Sequence, residues 1–148
     1  MKFDLRPSRP GRELTDVLSN TEWCLLANRR TCDVVRAVCG DDGVEYLPFT
    51  LHEPDGALLS ADYSIVHATR FCDVVDREAS EIDYEDDDPE RDITSVDRYV
   101  FDGARCVSLP HLFRVPEWSY DLFLDETLGR ALHGAKISNL FLHEVEVR

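Results

Sequence analysis

The chain has 148 residues, 43% of them hydrophobic, and a formal net charge of -14, which fits one domain whose core buries roughly 70% of the unfolded surface. That charge repels nucleic acid and anionic membrane surfaces and favours cationic partners. The charged, proline-broken start MKFDLRPSRPGREL is no secretory signal, and no stretch approaches the ~20 apolar residues of a membrane span, so the cytoplasm is the expected compartment.

Residues 1–14 read as a Pro/Arg-rich N-terminal lead, and residues 15–148 as the domain proper. A short helical turn is expected around Glu13–Leu18, and Glu22-Trp23-Cys24-Leu25-Leu26 makes a compact apolar strand. Asn28 is placed to cap a helix over Arg29–Cys39, on which Cys32, Val35 and Cys39 share a core face. Gly40 and Gly43 then supply the positive φ of a helix exit and turn. In VEYLPFTL the apolar alternation through Val44 and Tyr46 resumes out of phase at Phe49 and Leu51, which predicts a β-bulge at Leu47-Pro48. The turn Glu53-Pro54-Asp55-Gly56 leads to a strand on which Tyr63, Ile65 and His67 alternate, and the two strands should pair as a hairpin.

Glu81–Asp92, EIDYEDDDPERD, holds eight carboxylates against the single Arg91, a net charge of -7 and half of the chain's total. Residues 1–40, by contrast, carry seven basic and five acidic side chains, net +2. The run is expected to interrupt the sheet as an acidic loop at 81–92, with Ile93–Phe101 resuming it. On that strand Thr94, Val96, Arg98 and Val100 would share one face, Tyr99 and Phe101 the other. Asp102-Gly103 signals a turn, and Cys106–Leu109 and Leu112–Val115 read as short strands separated by Pro110. Asp125 caps a helix through about His133, with Leu124, Leu128, Ala131 and Leu132 on its apolar stripe and Gly134 at its exit. Asn139–Val147 closes the chain as a strand. The expected fold is α+β, a single domain with a largely antiparallel mixed sheet flanked by two or three helices.

Chemical motifs are sparse. Five cysteines, Cys24, Cys32, Cys39, Cys72 and Cys106, are odd in number and lack a C-x-x-C pair, so they read as small buried apolar residues and not as a disulfide framework or zinc knuckle. Gly129–Gly134 has the spacing of a phosphate loop, but Ala135-Lys136-Ile137 replaces Gly-Lys-Ser/Thr at a helix end. Asp73, Asp76 and Ser80, beside His67 and Cys72, include the residue types of acid/base or nucleophilic sites; the plainer reading is local turn hydrogen bonds. The acidic run lacks the ligand spacing of a calcium loop, leaving a solvated loop or a docking element for a basic surface. Trp118 and Tyr120, in polar surroundings, are either a lid on the core or interface anchors, and Tyr84 is the more exposed anchor of the three. No catalytic residue, cofactor or metal ligand is expected.

Several segments, taken in order, resemble a known family. TDVLSNTEWCLLANRRTCDVVRAV, VEYLPFTL, DGALLSADYSIVHATRFCDVVDREAS and LFRVPEWSYDLFLDETLGRALHGAKISNLFLHEV are similar to the immunity proteins of bacterial polymorphic toxin systems, specifically immunity family eleven, formerly a domain of unknown function. The resemblance implies a non-enzymatic protein that neutralises a cognate bacterial toxin by binding and occluding it. Combined with the charge pattern, the expected partner is a protein toxin with a basic surface, neither nucleic acid nor membrane. The expected contact residues are Glu81, Asp83, Tyr84, Glu85, Asp86, Asp87, Asp88, Glu90, Trp118 and Tyr120. A regulatory or scaffold module of the same fold, or a small hydrolase using the His67, Asp73 and Asp76 region, are the alternatives.

Overall fold

The computed structural model describes residues 2–4, 13–20, 24–87 and 92–148, with backbone only for 2–4 and Asp87. A five-stranded sheet forms the first half, from β1 (Lys2–Asp4), β2 (Val17–Leu18), β3 (Leu25–Asn28), β4 (Val44–His52) and β5 (Leu58–Ala68), in the order β1-β4-β5-β3-β2. β1 runs parallel to β4, and the remaining pairs are antiparallel. Helix α1 (Arg29–Cys39) follows β3 directly, and α2 (Glu126–Gly134) packs against it.

Both helices begin where a side chain satisfies their free amides. Asn28 Oδ1 accepts from Thr31 N–H at 3.0 Å, and Asp125 Oδ1 accepts from Leu128 N–H at 2.9 Å, as expected of N-caps. Gly40 (φ 67°) and Gly43 (φ 78°) lie in the left-handed region, as the turn after α1 requires. Gly134 is instead the last helical residue of α2, and the left-handed position falls at Lys136, φ 53°.

The change of phase along β4 has a different origin from the one expected. Its register with β5 continues unbroken through Leu47↔Ile65 and Pro48↔Ser64; it slips only between Phe49 and His52, where β5 carries the extra residues. No bulge marks Leu47-Pro48. Val44 and Tyr46 instead belong to the core under the helices, with Ala27, Cys32, Val35, Val66, Ala68, Leu128 and Leu132. Phe49 faces the opposite way, into a second cluster with Leu26, Tyr63 and Ile65. The sheet is therefore buried on both faces at different points along one strand, and the hydrophobic pattern shifts to match. Pro48 sits beyond Thr50–His52, the stretch covered by β1, on a length of that edge that no other described strand covers, where proline is tolerated.

The second half is built from shorter pieces around a third, aromatic core of Val74, Val75, Phe101, Phe113, Val115 and Phe123. Strands β6 (Glu81–Tyr84) and β7 (Ile93–Arg98) form an antiparallel ribbon; β8 (Val100–Phe101) pairs in parallel with β11 (Glu146–Val147), and β9 (Leu112–Phe113) pairs with β10 (Phe123–Leu124). Rings meet at 4.9 Å edge-to-face for Tyr99 and Phe123 and at 5.1 Å for Phe101 and Phe123. β9 is the seam between the halves, since Leu112 enters the helix-backed core while its neighbour Phe113 enters the aromatic one.

Several local expectations change for identifiable reasons. The acidic run does not simply interrupt the sheet, because its first four residues are β6 itself. Glu13–Leu18 holds no helix: Val17 and Leu18 pair with Ala27 and Leu26. The strand expected over Glu22–Leu26 is displaced to Leu25–Asn28, with Glu22 and Trp23 outside the described residues. Ile93–Phe101 breaks at Tyr99, whose hydroxyl turns to donate to Asp121 Oδ2 at 2.8 Å, and Val100 and Phe101 are both buried instead of alternating. Cys106–Leu109 is not a strand, as Ser108 takes φ 60°. Of the closing segment Asn139–Val147 only Glu146–Val147 pairs; Asn139 (φ 59°) turns to donate from its amide to Val17 carbonyl at 2.8 Å, and Phe141 is 80% exposed. The C-terminal residue is tied down at Gly103, where a Cβ would stand 2.7 Å from the Arg148 carbonyl oxygen.

Asp16 joins the ends of the chain to α1. Its carboxylate accepts from Asn28 Nδ2 at 2.8 Å, Ser138 N–H and Oγ at 2.9 Å each, and Arg30 at 3.1 Å. Burial alone would raise its pKa, but the bonds from Ser138 and Asn28 and the charge of Arg30 hold it below the ordinary carboxylate value. With two helices and mostly antiparallel strands, the molecule is a single α+β domain.

Candidate functional site

The β6–β7 ribbon projects the acidic run from the aromatic half. Ile82 packs into the core, while Glu81 and Asp83, on the alternate face, are exposed. Both carboxylates already have partners. Glu81 Oε1 accepts from Arg98 Nε at 2.8 Å, and Asp83 Oδ2 from Ser95 Oγ at 2.7 Å. Arg98 also reaches Glu146 at 3.1 Å; such solvent-screened pairs contribute little to stability. A 3-10 turn, Glu85–Asp87, follows β6, with Asp86 at φ 58° and the Glu85 N–H donating to Asp92 carbonyl at 2.9 Å across the base of the loop. Glu85 and Asp86 are exposed, and Asp88 and Glu90 lie outside the described residues.

A second segment, Pro116–Tyr120, comes up beside the ribbon. Arg114 supports it from below. This arginine is 8% exposed, and its guanidinium donates to the Ala68 carbonyl at the end of β5 and to the Ser119 carbonyl. Burial lowers its pKa from the usual arginine value, and the carbonyl dipoles satisfy donors that no carboxylate among the described residues meets directly. The Trp118 and Tyr120 rings pack edge-to-face at 5.0 Å; Trp118 is half-buried, whereas Tyr120 is 52% exposed. Trp118 thus acts partly as a lid, and Tyr120 is the more exposed of the expected anchors.

Between ribbon and segment lies an open depression of about 400 Å³, lined by Tyr84, Asp92 and Ile93 on one side, Pro116–Tyr120 on the other, and Arg77. The structure therefore brings together Tyr84, Trp118 and Tyr120 from the expected set. Glu81, Asp83, Glu85 and Asp86 do not line it. Tyr84 is half-buried in its wall and not the more exposed anchor expected.

Two residues that the sequence reading passed over complete the depression. Glu117 has a side chain only 1% exposed; its Oε1 accepts from Arg77 Nε at 3.2 Å, while Oε2 is buried with no hydrogen-bond donor among the described residues. A lone acidic residue between proline and tryptophan was the available signal. Arg77 had none, lying in a stretch read only as a turn.

The Asp73, Asp76 and Ser80 stretch is a turn. Asp76 Oδ1 accepts from the N–H groups of Glu78 and Ala79 at 3.1 Å each, and Ser80 Oγ donates to Asp76 carbonyl at 2.7 Å while accepting from Val100 N–H at 2.9 Å. Asp73 pairs instead with Arg105 at 3.4 Å. No hydrogen bond joins His67 to any of them among the described residues, so no base stands on the Ser80 hydroxyl. The cysteines form no disulfide among the described residues; Cys32 is buried and the other four half-buried, and burial raises the thiol pKa of Cys32, Cys39, Cys72 and Cys106. This is the inert setting of a structural thiol. No helix among the described residues is long and apolar enough to cross a membrane.

Among curated proteins no sequence matches this chain. The model of the immunity protein family (Imm11) matches residues 1–147. A match over nearly the whole chain, on an α+β domain that presents an acidic ribbon beside an aromatic depression, shows that the chain belongs to the immunity protein family (Imm11).

Proposed function

We propose that this immunity protein neutralises a cognate protein toxin by binding and occluding it in the cytoplasm, without catalysis, and that the contact face combines the β6–β7 ribbon with Pro116–Tyr120. The observation that carries this reading is the convergence of Tyr84, Trp118 and Tyr120 on one depression beside the most acidic stretch of the chain. Aromatic side chains bury large areas with few rotatable bonds and anchor interfaces. Clustered carboxylates speed capture of a basic partner, while packed aromatic contacts set the rate of release. The net charge of -14 disfavours nucleic acid and anionic membranes as partners. Ser80, committed to its turn, offers no support for the hydrolase alternative.

The test is co-expression with the toxin domain encoded by a neighbouring reading frame. The chain should rescue growth and co-purify with that domain, and raising salt should slow association by roughly tenfold or more while changing dissociation far less. Absence of both rescue and co-purification would overturn toxin binding. Salt-insensitive association would remove the role given to the carboxylates.

A further inference from the structure

The acidic ribbon supplies long-range attraction, but its described carboxylates are solvated and, at Glu81 and Asp83, already partnered. Glu117 differs in kind. A carboxylate whose side chain is 1% exposed, with one oxygen bound to Arg77 and the other without a donor among the described residues, carries an unmet demand for a hydrogen bond in a residue that lines an aromatic-walled depression. Leaving such an oxygen desolvated is costly, so a donor that reaches it gains more there than at an exposed acid.

From this geometry we infer that the depression is a socket for one arginine side chain of the partner protein, with Glu117 Oε2 accepting from its guanidinium and the exposed Tyr120 ring, backed edge-to-face by Trp118, stacking on one face of its plane. The assignment rests on the toxin-binding reading above. A guanidinium is chosen because it donates in its plane while its faces stack on aromatic rings, which an ammonium does not do. Among the described residues the charged groups lining the depression are Arg77, Glu117 and Asp92, net -1, a balance that a single cation complements. Arg77 holds Oε1 and orients the carboxylate, leaving Oε2 for the incoming group. The arginine enters from the side where Tyr120 is 52% exposed.

The probe is an acetylated Gly-Arg-Gly amide, titrated into the full chain and followed at the Trp118 indole N–H by two-dimensional NMR, with Trp118→Phe assigning the resonance. The arginine peptide should shift this signal saturably, and the citrulline and lysine counterparts should bind at least roughly tenfold more weakly. Glu117→Gln keeps an oxygen for Arg77 but places a donor at the second position, and should weaken arginine binding by roughly thirtyfold. Tyr120→Ala, at an exposed position, should weaken it about two- to fivefold with the fold intact. It keeps the test decisive if Glu117→Gln lowers stability.

Equal binding of the citrulline or lysine peptide overturns the socket, as does full affinity in a folded Glu117→Gln or Tyr120→Ala chain. Unaltered toxin affinity in both variants also overturns it while leaving toxin binding standing. Arginine discrimination by a chain that neither rescues nor co-purifies with the toxin supports the socket and removes the toxin reading instead.

Discussion

In the helix-backed half, β4 and β5 run for nine and eleven residues, and one long ladder, irregular only between Phe49 and His52, meets most of their backbone demand. Around the aromatic core, β8, β9, β10 and β11 are two residues each, and side chains take over that task. Ser80 bonds the Val100 amide, Asp76 the turn amides of Glu78 and Ala79, and Arg114 the carbonyls of Ala68 and Ser119. A ladder spreads its stabilisation over many interchangeable residues. The second half instead concentrates it in a few positions that tolerate little change, and the candidate contact face stands on that half.

The largest expected effect tests whether the halves are mechanically separate. Phe101 touches the rings of Tyr99, Phe113 and Phe123, so Phe101→Ala should cost about 3–5 kcal/mol in urea unfolding. Because Leu112 and Phe113 tie the cores together through one strand, hydrogen exchange should show the same loss at the amides of α1 as at those of β8. Undiminished protection of α1 would divide the molecule into two cooperative units.

An intermediate effect is expected in the first half, at its exception to ladder bonding. Asp16→Asn removes a charge that receives bonds from Ser138, Asn28 and Arg30, and should cost about 1.5–3 kcal/mol at neutral pH. A carboxyl depressed on folding stabilises the folded state above its unfolded pKa, near ~3.9, and loses that contribution as pH falls through the lower folded value. The difference between the wild-type and Asp16→Asn urea midpoints should therefore shrink from pH 7 to about pH 2.5. Asp125 behaves in the same direction, since the Leu128 amide and His111 outweigh the opposing effect of burial. A midpoint difference constant across that range would show that Asp16 acts through shape alone.

The smallest effect sharpens the contrast from the other side. Ser80→Ala should cost about 1 kcal/mol and raise exchange chiefly at the Val100 amide, leaving the β4–β5 ladder unaffected. Uniform loosening of both halves would contradict the division of labour.

Legibility followed the same boundary. Both helices and both caps were readable because Asn28 and Asp125 precede apolar stripes of helical period. The β4–β5 hairpin was readable from alternation and its Pro-Asp-Gly turn. Its phase shift was visible but misassigned, because one strand contributes to cores on opposite faces and a linear pattern does not say which layer covers which residue. In the aromatic half, contacts such as Val75 with Phe101 and Phe71 with Arg114 are isolated bridges between distant segments, which leave no local period. At the site, Tyr84, Trp118 and Tyr120 stood out by type, whereas Glu117 and Arg77 matter through burial and a partner forty residues away.

Among the described residues the β6–β7 ribbon is a two-stranded sheet of its own, sharing no ladder with the five-stranded one. Of the side chains of β6, Ile82 is the one that enters a core cluster. Substitutions at Glu81, Asp83 and Glu85 therefore fall where stability usually changes by no more than about 1 kcal/mol. If this edge is the contact proposed above, a lineage can rewrite it one residue at a time without first acquiring a reserve of stability.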